Sequence, residues 1–256
     1  MQSRITILGS GTCVPSLTRH PCAFILQTGG HTLLFDCGPG TMHRLLEVGV
    51  AISELSHIFL SHFHPDHSSE LAAILFALNY GVPAAPKRPL TIVAGRGFKM
   101  FFNRLKALYG SWIELPPDRF SIVEMATTRK DSYDFGNVSV LTMPVNHRPE
   151  SIAFRVEDAA GKVLVYSGDT DICDSLAMIA ADADLMICES AFPDGQKADG
   201  HLTPSLAGTI AATACVRNLL LTHFYPPCDQ VDIEKQCRST YSGSVTLAKD
   251  KMTLTL

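Results

Sequence analysis

The sequence has no long hydrophobic run. Its longest apolar stretch, Leu71 to Leu78, is eight residues, against the roughly 20 that a membrane-crossing helix needs. A helical membrane span is therefore excluded, and no membrane partner is expected. The chain also lacks any CxxC pair. Its eight cysteines stand singly at 13, 22, 37, 173, 188, 215, 228 and 237, which predicts reduced, buried thiols and a cytoplasmic protein. The opening MQSRITILGSGTCVPS has no apolar h-region, so no signal peptide is expected. Positive charge is not in excess. The formal net charge is −4, which gives no general attraction for nucleic acid or anionic membrane. From Leu71 to Ile113 acidic residues are missing altogether, while Lys87, Arg88, Arg96, Lys99, Arg104 and Lys106 are present. That stretch reads either as a solvated face or as a basic flank that draws in an anionic substrate. The GSGT at 9–12 has no Lys-Ser/Thr after it and is no phosphate-binding P-loop. No linker or low-complexity segment divides the 256 residues.

Short strands and helices alternate through the chain. Patterning predicts thirteen strands, from Arg4–Leu8 to Met252–Leu256, many β-branched and bounded by Gly, Pro, Asp or Asn. It predicts helices over Met42–Val48, Ser68–Asn79, Phe98–Leu108, Asp174–Ala181, Pro204–Ala214 and Ile233–Thr240, with Thr203 capping Pro204. In the third, Phe98, Phe101, Phe102, Leu105 and Leu108 share one face, and the basic residues lie mostly outside. Hairpin signals at Thr28-Gly29-Gly30 and Phe135-Gly136-Asn137 mix with strand–helix units. The expected class is α/β (α+β), with two mixed β-sheets and helices outside.

The strongest local signal is HFHPDH, which places His62, His64, Asp66 and His67 within six positions after the apolar run His57-Ile58-Phe59-Leu60. Four such groups have no packing use, and burying them unpaired would be costly. Three more polar residues also end apolar strands: His147 in VSVLTMPVNH, Asp169 in KVLVYSGD and His223 in NLLLTH. Residues at strand exits gather along one sheet rim, where α/β proteins place ligands. Imidazole and carboxylate suit borderline divalent metals such as zinc. Seven donors are too many for one tetrahedral ion and about right for two sharing a carboxylate, a pair able to hold a bridging hydroxide. Asp66 sits where it could both ligate and orient that hydroxide. Asp36 in FDCG follows a strand that could lie beside the HFHPDH loop, where a carboxylate would accept a hydrogen bond from a ligand histidine. Glu189 in ICESAF reads either as a support of the site or as structural. His20, His31, His43 and His57 have no partner pattern and read as structural or surface residues.

With these residues in hand, the chain resembles the metallo-β-lactamase superfamily, and within it the ribonuclease Z-like phosphodiesterase branch. SHFHPDHSSE matches the superfamily's signature loop. LGSGTCVPS, LLFDCGPGTMHRLLEVG, YSGDT, GHLTP and LTHF match the branch, in order from Leu8 to Phe224. The resemblance implies one metallo-β-lactamase-fold domain over residues 1–256, a four-layer αββα sandwich with a dinuclear site in its cleft. By motif, His62, His64 and His147 would hold one metal, Asp66, His67 and His223 the second, and Asp169 would bridge them. His201 matches the family histidine that contacts the scissile phosphate. Two divalent ions are thus expected, zinc first, with manganese or iron as alternatives. The branch also implies a homodimer.

The chain departs from the branch where transfer RNA is gripped. The arm inserted between the third histidine motif and the bridging aspartate has no room in the 22 positions from His147 to Asp169. LTHF continues YPPCD, without the Ser-x-Arg-Tyr common in ribonuclease Z. The expected activity is dinuclear hydrolysis of a small phosphodiester, linear or cyclic, with an anionic small molecule as partner rather than nucleic acid. The alternatives are transfer RNA 3′-processing, hydrolysis of esters, thioesters, lactones or sulfates, and a mononuclear iron oxygenase of the same fold.

Overall fold

The computed structural model describes residues 2–81 and 89–256. The expected loop at Val82–Pro86, together with Lys87 and Arg88, lies outside the described residues. In chain order the elements are β1 (Arg4–Gly9), β2 (Ala23–Thr28), β3 (His31–Phe35), α1 (Thr41–Glu47), β4 (His57–Leu60), α2 (Pro65–Ser68), α3 (Leu71–Tyr80) and β5 (Leu90–Gly95). Then come α4 (Phe98–Tyr109), β6 (Phe120–Met125), β7 (Asp131–Phe135), β8 (Val138–Pro144), β9 (Ile152–Glu157), β10 (Val163–Tyr166), α5 (Asp174–Ile179) and β11 (Leu185–Glu189). The chain closes with α6 (Pro204–Thr213), β12 (Asn218–Thr222), α7 (Ile233–Arg238), β13 (Ser244–Leu247) and β14 (Thr253–Thr255).

These strands make two seven-stranded sheets, ordered β14-β1-β2-β3-β4-β5-β6 and β13-β12-β11-β10-β9-β8-β7. Both are mixed. The first is antiparallel from β14 to β3 and parallel from β3 to β6. The second is parallel from β13 to β10 and antiparallel from β10 to β7. Strand periodicity sorts the side chains. On β2, Phe24 and Leu26 point between the sheets, while Ala23 and Ile25 point outward. On β4, Phe59 points in and Ile58 and Leu60 point out. Phe35 stacks on Phe24 at 4.6 Å and on Phe59 at 4.8 Å, and meets Phe154 of the other sheet edge-on at 5.8 Å. Helices α1, α3 and α4 cover the outer face of the first sheet, and α5, α6 and α7 pack on the second. The result is an αββα sandwich.

Several expectations shift. β7 was not expected, because DSYDF is mostly polar; Tyr133 and Phe135 alone face inward from this edge strand. The helix expected over Ser68–Asn79 is α3, which starts at Leu71 and runs to Tyr80, and a separate turn, α2, precedes it across Ser69-Glu70. Thr203 occupies the N-cap position of α6 in an extended conformation, but its side chain makes no capping bond. Leu108, expected on the packed face of α4, is 73% exposed, since the helix ends one residue later at the surface. All eight cysteines are free thiols. Cys22, Cys37, Cys188, Cys228 and Cys237 are buried as expected, while Cys13 and Cys215 are exposed. No helix among the described residues is long and apolar enough to cross a membrane.

Candidate metal centre

β4 delivers the chain to the cleft with Ser61 and His62 fully buried. Pro65 then opens α2 at a position where its missing N–H costs nothing. The Ser68 hydroxyl bonds back to the carbonyls of Phe63 and His64 at 3.0 and 2.9 Å, closing a single helical turn that carries Asp66 and His67. The loop after β3 presses on this turn. A Cβ on Gly38 would fall 1.9 Å from the Asp66 carbonyl oxygen, so only glycine fits there. From the second sheet, His147 follows β8, Asp169 follows β10 and His223 follows β12, all at the same rim.

The seven expected donors come together. Atoms of His62, His64, His147 and Asp169 lie within 4.8 Å of one another, as do those of Asp66, His67 and His223. Asp169 divides its carboxylate between them. Its Oδ2 lies 3.7 Å from His62 Nε2 and 4.0 Å from His147 Nε2. Its Oδ1 lies 3.4 Å from the Nε2 atoms of both His67 and His223. Those two imidazole nitrogens face each other at 3.3 Å, and Asp66 Oδ2 stands 3.9 and 3.8 Å from them.

The residues fit divalent cations. His62 Nε2 and Asp169 Oδ1 are buried and make no hydrogen bond, although buried polar atoms are nearly always paired. Three of the rings, His62, His67 and His147, are tied from behind so that their Nε2 atoms face the cluster. Asp36 Oδ2 accepts from His67 Nδ1 at 2.8 Å, from Ser61 Oγ at 2.8 Å and from the Tyr166 hydroxyl at 2.7 Å, and its Oδ1 accepts from Ser61 N–H at 2.8 Å. His62 Nδ1 lies 3.0 Å from Ser61 Oγ. His147 Nδ1 donates to the Gly200 carbonyl at 3.0 Å. Gly200 has φ 80°, and a Cβ there would press on that ring at 2.9 Å. Such bonds fix tautomer and orientation of metal-binding histidines. Asp36 and His223 hold positive φ angles of 57° and 61°, a cost that non-glycine residues bear chiefly where function fixes the backbone.

The charges follow the same geometry. Burial disfavours the ionised form of Asp169, but His223 and His67 beside it hold its carboxyl well below the usual range. Burial also opposes charge on His67, and Asp169 and Asp36 outweigh it, raising its pKa well above the usual value. Burial keeps His62 and His64 uncharged and brings His147 down to about 4, the state a metal ligand needs.

His201 stands at the edge of the cluster, its ring 5.6 Å from that of His223 and 5.1 Å from that of His147. Its Nδ1 lies 3.0 Å from Glu189 Oε1, leaving Nε2 for the cleft. Glu189 also accepts from the backbone N–H groups of Thr170, Ala191 and Leu202 at 2.8, 3.2 and 3.1 Å. Burial works against a charged His201, but Glu189 raises its pKa to about 8. Glu189 thus ties His201, whose ring nitrogen lies within 4.8 Å of ligand atoms of Asp169 and His223, to Thr170 beside Asp169. Sequence reasoning missed Ser61, Tyr166 and the Gly200 carbonyl. A phenol in the apolar strand before SGDT was the available signal, since a buried tyrosine hydroxyl needs a partner. Of the unassigned histidines, His57 is buried against Phe135, His20 is bonded to Asp250, and His43 is exposed.

Residues 31–224 match the family described as Beta-lactamase superfamily domain. The Mycobacterium tuberculosis protein Rv1339 is 33% identical over 250 residues, covering 94% of this chain and 88% of its own. Human tRNase Z, short form, superposes with a TM-score of 0.80 at 27% identity over 98% of both chains. The metallo-beta-lactamase fold protein YhfI of Bacillus subtilis superposes with a TM-score of 0.84 at 24% identity over 99% of both.

Proposed function

Because this chain belongs to the beta-lactamase superfamily and is a metal-dependent hydrolase of ribonuclease Z-like type, we propose that it hydrolyses a small phosphodiester, linear or cyclic, with two divalent ions. One observation carries the reading: the two oxygens of Asp169 each face a separate donor group. His62, His64 and His147 would hold the first ion, Asp66, His67 and His223 the second, and Asp169 would join them. The nitrogen and oxygen donors favour zinc. Ions held there supply Lewis acidity toward a phosphoryl oxygen and bring the pKa of a water toward ~7.

The side chains do the rest. Asp66 stands at the open side of the donor groups, where its carboxylate can orient the attacking water and take its proton. His201, kept protonated by Glu189, presents Nε2 to the leaving oxygen as general acid. Asp36 holds His67 in the tautomer that turns Nε2 inward. Two features support a small substrate. The segment between His147 and Asp169 is the single hairpin β9–β10, and the net charge is −4. Gripping a long RNA takes many basic contacts to phosphate.

The test runs one zinc-loaded preparation, with its metal content measured, on bis(p-nitrophenyl) phosphate and on precursor transfer RNA at physiological salt. Hydrolysis of the diester with little RNA cleavage is expected. Site-specific trimming of the precursor would replace this reading with transfer RNA processing. Inactivity on both, with rapid ester or thioester hydrolysis, would move the chain to that class.

A further inference from the structure

A cleft of about 400 Å³ opens beside the donor groups, lined by Phe63, Arg96, Met100, Phe101, Arg104 and Glu150. None of the seven donors lines it, yet it borders them twice. Phe63 sits between His62 and His64, and Glu150 follows His147 by three residues. The first sheet reaches the cleft through Gly95 at the end of β5, where a Cβ would fall 2.1 Å from the Glu150 carbonyl oxygen. The cleft thus spans the rims of both sheets at the side of the site held by His64 and His147.

Its chemistry is divided. Phe63 stacks on Phe101 at 5.1 Å, and Met100 is 58% exposed beside them. Met100 and Arg104 stand four residues apart, on one face of α4. Among the described residues, neither guanidinium makes a side-chain hydrogen bond or ion pair. Arg19, Arg44, Arg217 and Arg238 are each paired with a carboxylate. Arg96 and Arg104 are thus charged, forked donors free of a carboxylate partner beside an apolar wall near the donor groups, and such guanidinium groups can recognise phosphate bidentately. Glu150 is the one acid in the cleft and works against that recognition.

We propose that this cleft is a subsite for a second phosphate on the substrate, borne by a nucleoside whose ring system rests against Met100 and Phe101 while the diester lies at the donor groups. The inference rests on the phosphodiesterase reading above. It narrows the substrate class to diesters carrying a further phosphate.

The experiment compares thymidine 5′-(p-nitrophenyl phosphate) with its 3′-phosphorylated form on zinc-loaded protein at low salt. The 3′-phosphate should raise kcat/KM by about tenfold, through KM. The gain should shrink as salt screens it. In the Arg96→Ala/Arg104→Ala variant the gain should vanish, while bis(p-nitrophenyl) phosphate turns over within about twofold of wild type. Both side chains are exposed, so the fold does not depend on them. Glu150→Gln should enlarge the gain. No gain in the wild type, or a gain that survives in the double variant, would overturn the subsite. If neither diester is hydrolysed, the phosphodiesterase reading has failed and the subsite is judged by calorimetry with thymidine 3′,5′-bisphosphate. Binding about tenfold weaker in the double variant supports the subsite, and equal binding refutes it.

Discussion

His201 and Asp66 sit at one rim against different neighbours. Asp66 lies against His67 and His223 and belongs to a donor group; His201 leans on Glu189, which anchors it through Nδ1. The contrast makes a prediction about metal and rate. His201→Ala should retain the full metal content of the wild type, because none of the seven donors is removed. It should lose roughly 10²–10⁴ in kcat on a diester with a poor leaving group. The loss should shrink as the leaving group improves, since a good one departs without a proton. Metal analysis beside a leaving-group series checks both halves. An equal loss across the series would leave His201 a positioning residue only. His201 was legible only because GHLTP matches a motif of the branch, since it lies in a loop well after β11. The Asp36 cluster was legible only in part. Its Tyr166 partner lies 130 positions away in sequence, and pairing at that distance is decided by how the sheets face, which no local pattern records.

At the scale of elements, strands with β-branched apolar runs were readable from the chain and β7 was not. DSYDF owes its place to its neighbours. Phe135 stacks on His57 of β4 at 3.9 Å, across the sheets, and the Tyr133 hydroxyl lies 3.4 Å from His57 Nε2. Hairpin turn Gly136, with φ 56°, then returns the chain into β8. His57 is thus part of what holds an edge strand in place, and it is buried uncharged. Burial, with the nearby His31 adding repulsion, brings its pKa down to about 4 from an ordinary 6.5. The unfolded chain therefore binds this proton between pH 6.5 and 4 while the folded chain does not. Stability should rise with pH across that window and be lost as pH falls through it, by up to about 1.4 kcal/mol per pH unit for this one site. A His57→Gln variant, less stable at neutral pH, should show a shallower acid limb in denaturant melts between pH 6.5 and 4. Identical limbs would mean that His57 titrates alike in both states. The α2–α3 break has the same lesson. Leu71 to Leu78 reads as helix from its composition, but the turn before it is shaped by the need to aim His67 inward.

The whole molecule is two sheets packed face to face, and the donor groups join them at one rim. His62, His64, Asp66 and His67 come from the first sheet, and His147, Asp169 and His223 from the second. Each donor group draws on both sheets, so a bound ion is a cross-link between them as well as a reagent. Ions that bind the folded chain alone stabilise it by mass action, about 4 kcal/mol at a thousand times the dissociation constant. In a chain of this size that corresponds to a rise in Tm of about 10 °C. Removing the ions also leaves His62 Nε2 and Asp169 Oδ1 buried without partners, and brings the full negative charge of Asp169 and Asp66 into one cavity. Chelation should therefore lower Tm by about 10 °C, and zinc should restore it. In Asp169→Ala both donor groups lose the carboxylate that spans them, one oxygen each, so metal content should fall at both positions and the response of Tm to chelator should largely disappear. Scanning calorimetry of wild type and variant, with metal content measured on each sample, decides the matter. A wild-type Tm that stays put after its metal has been shown to leave would mean that the sheets hold each other without help, and that the rim is a catalytic site mounted on the sandwich rather than a joint within it.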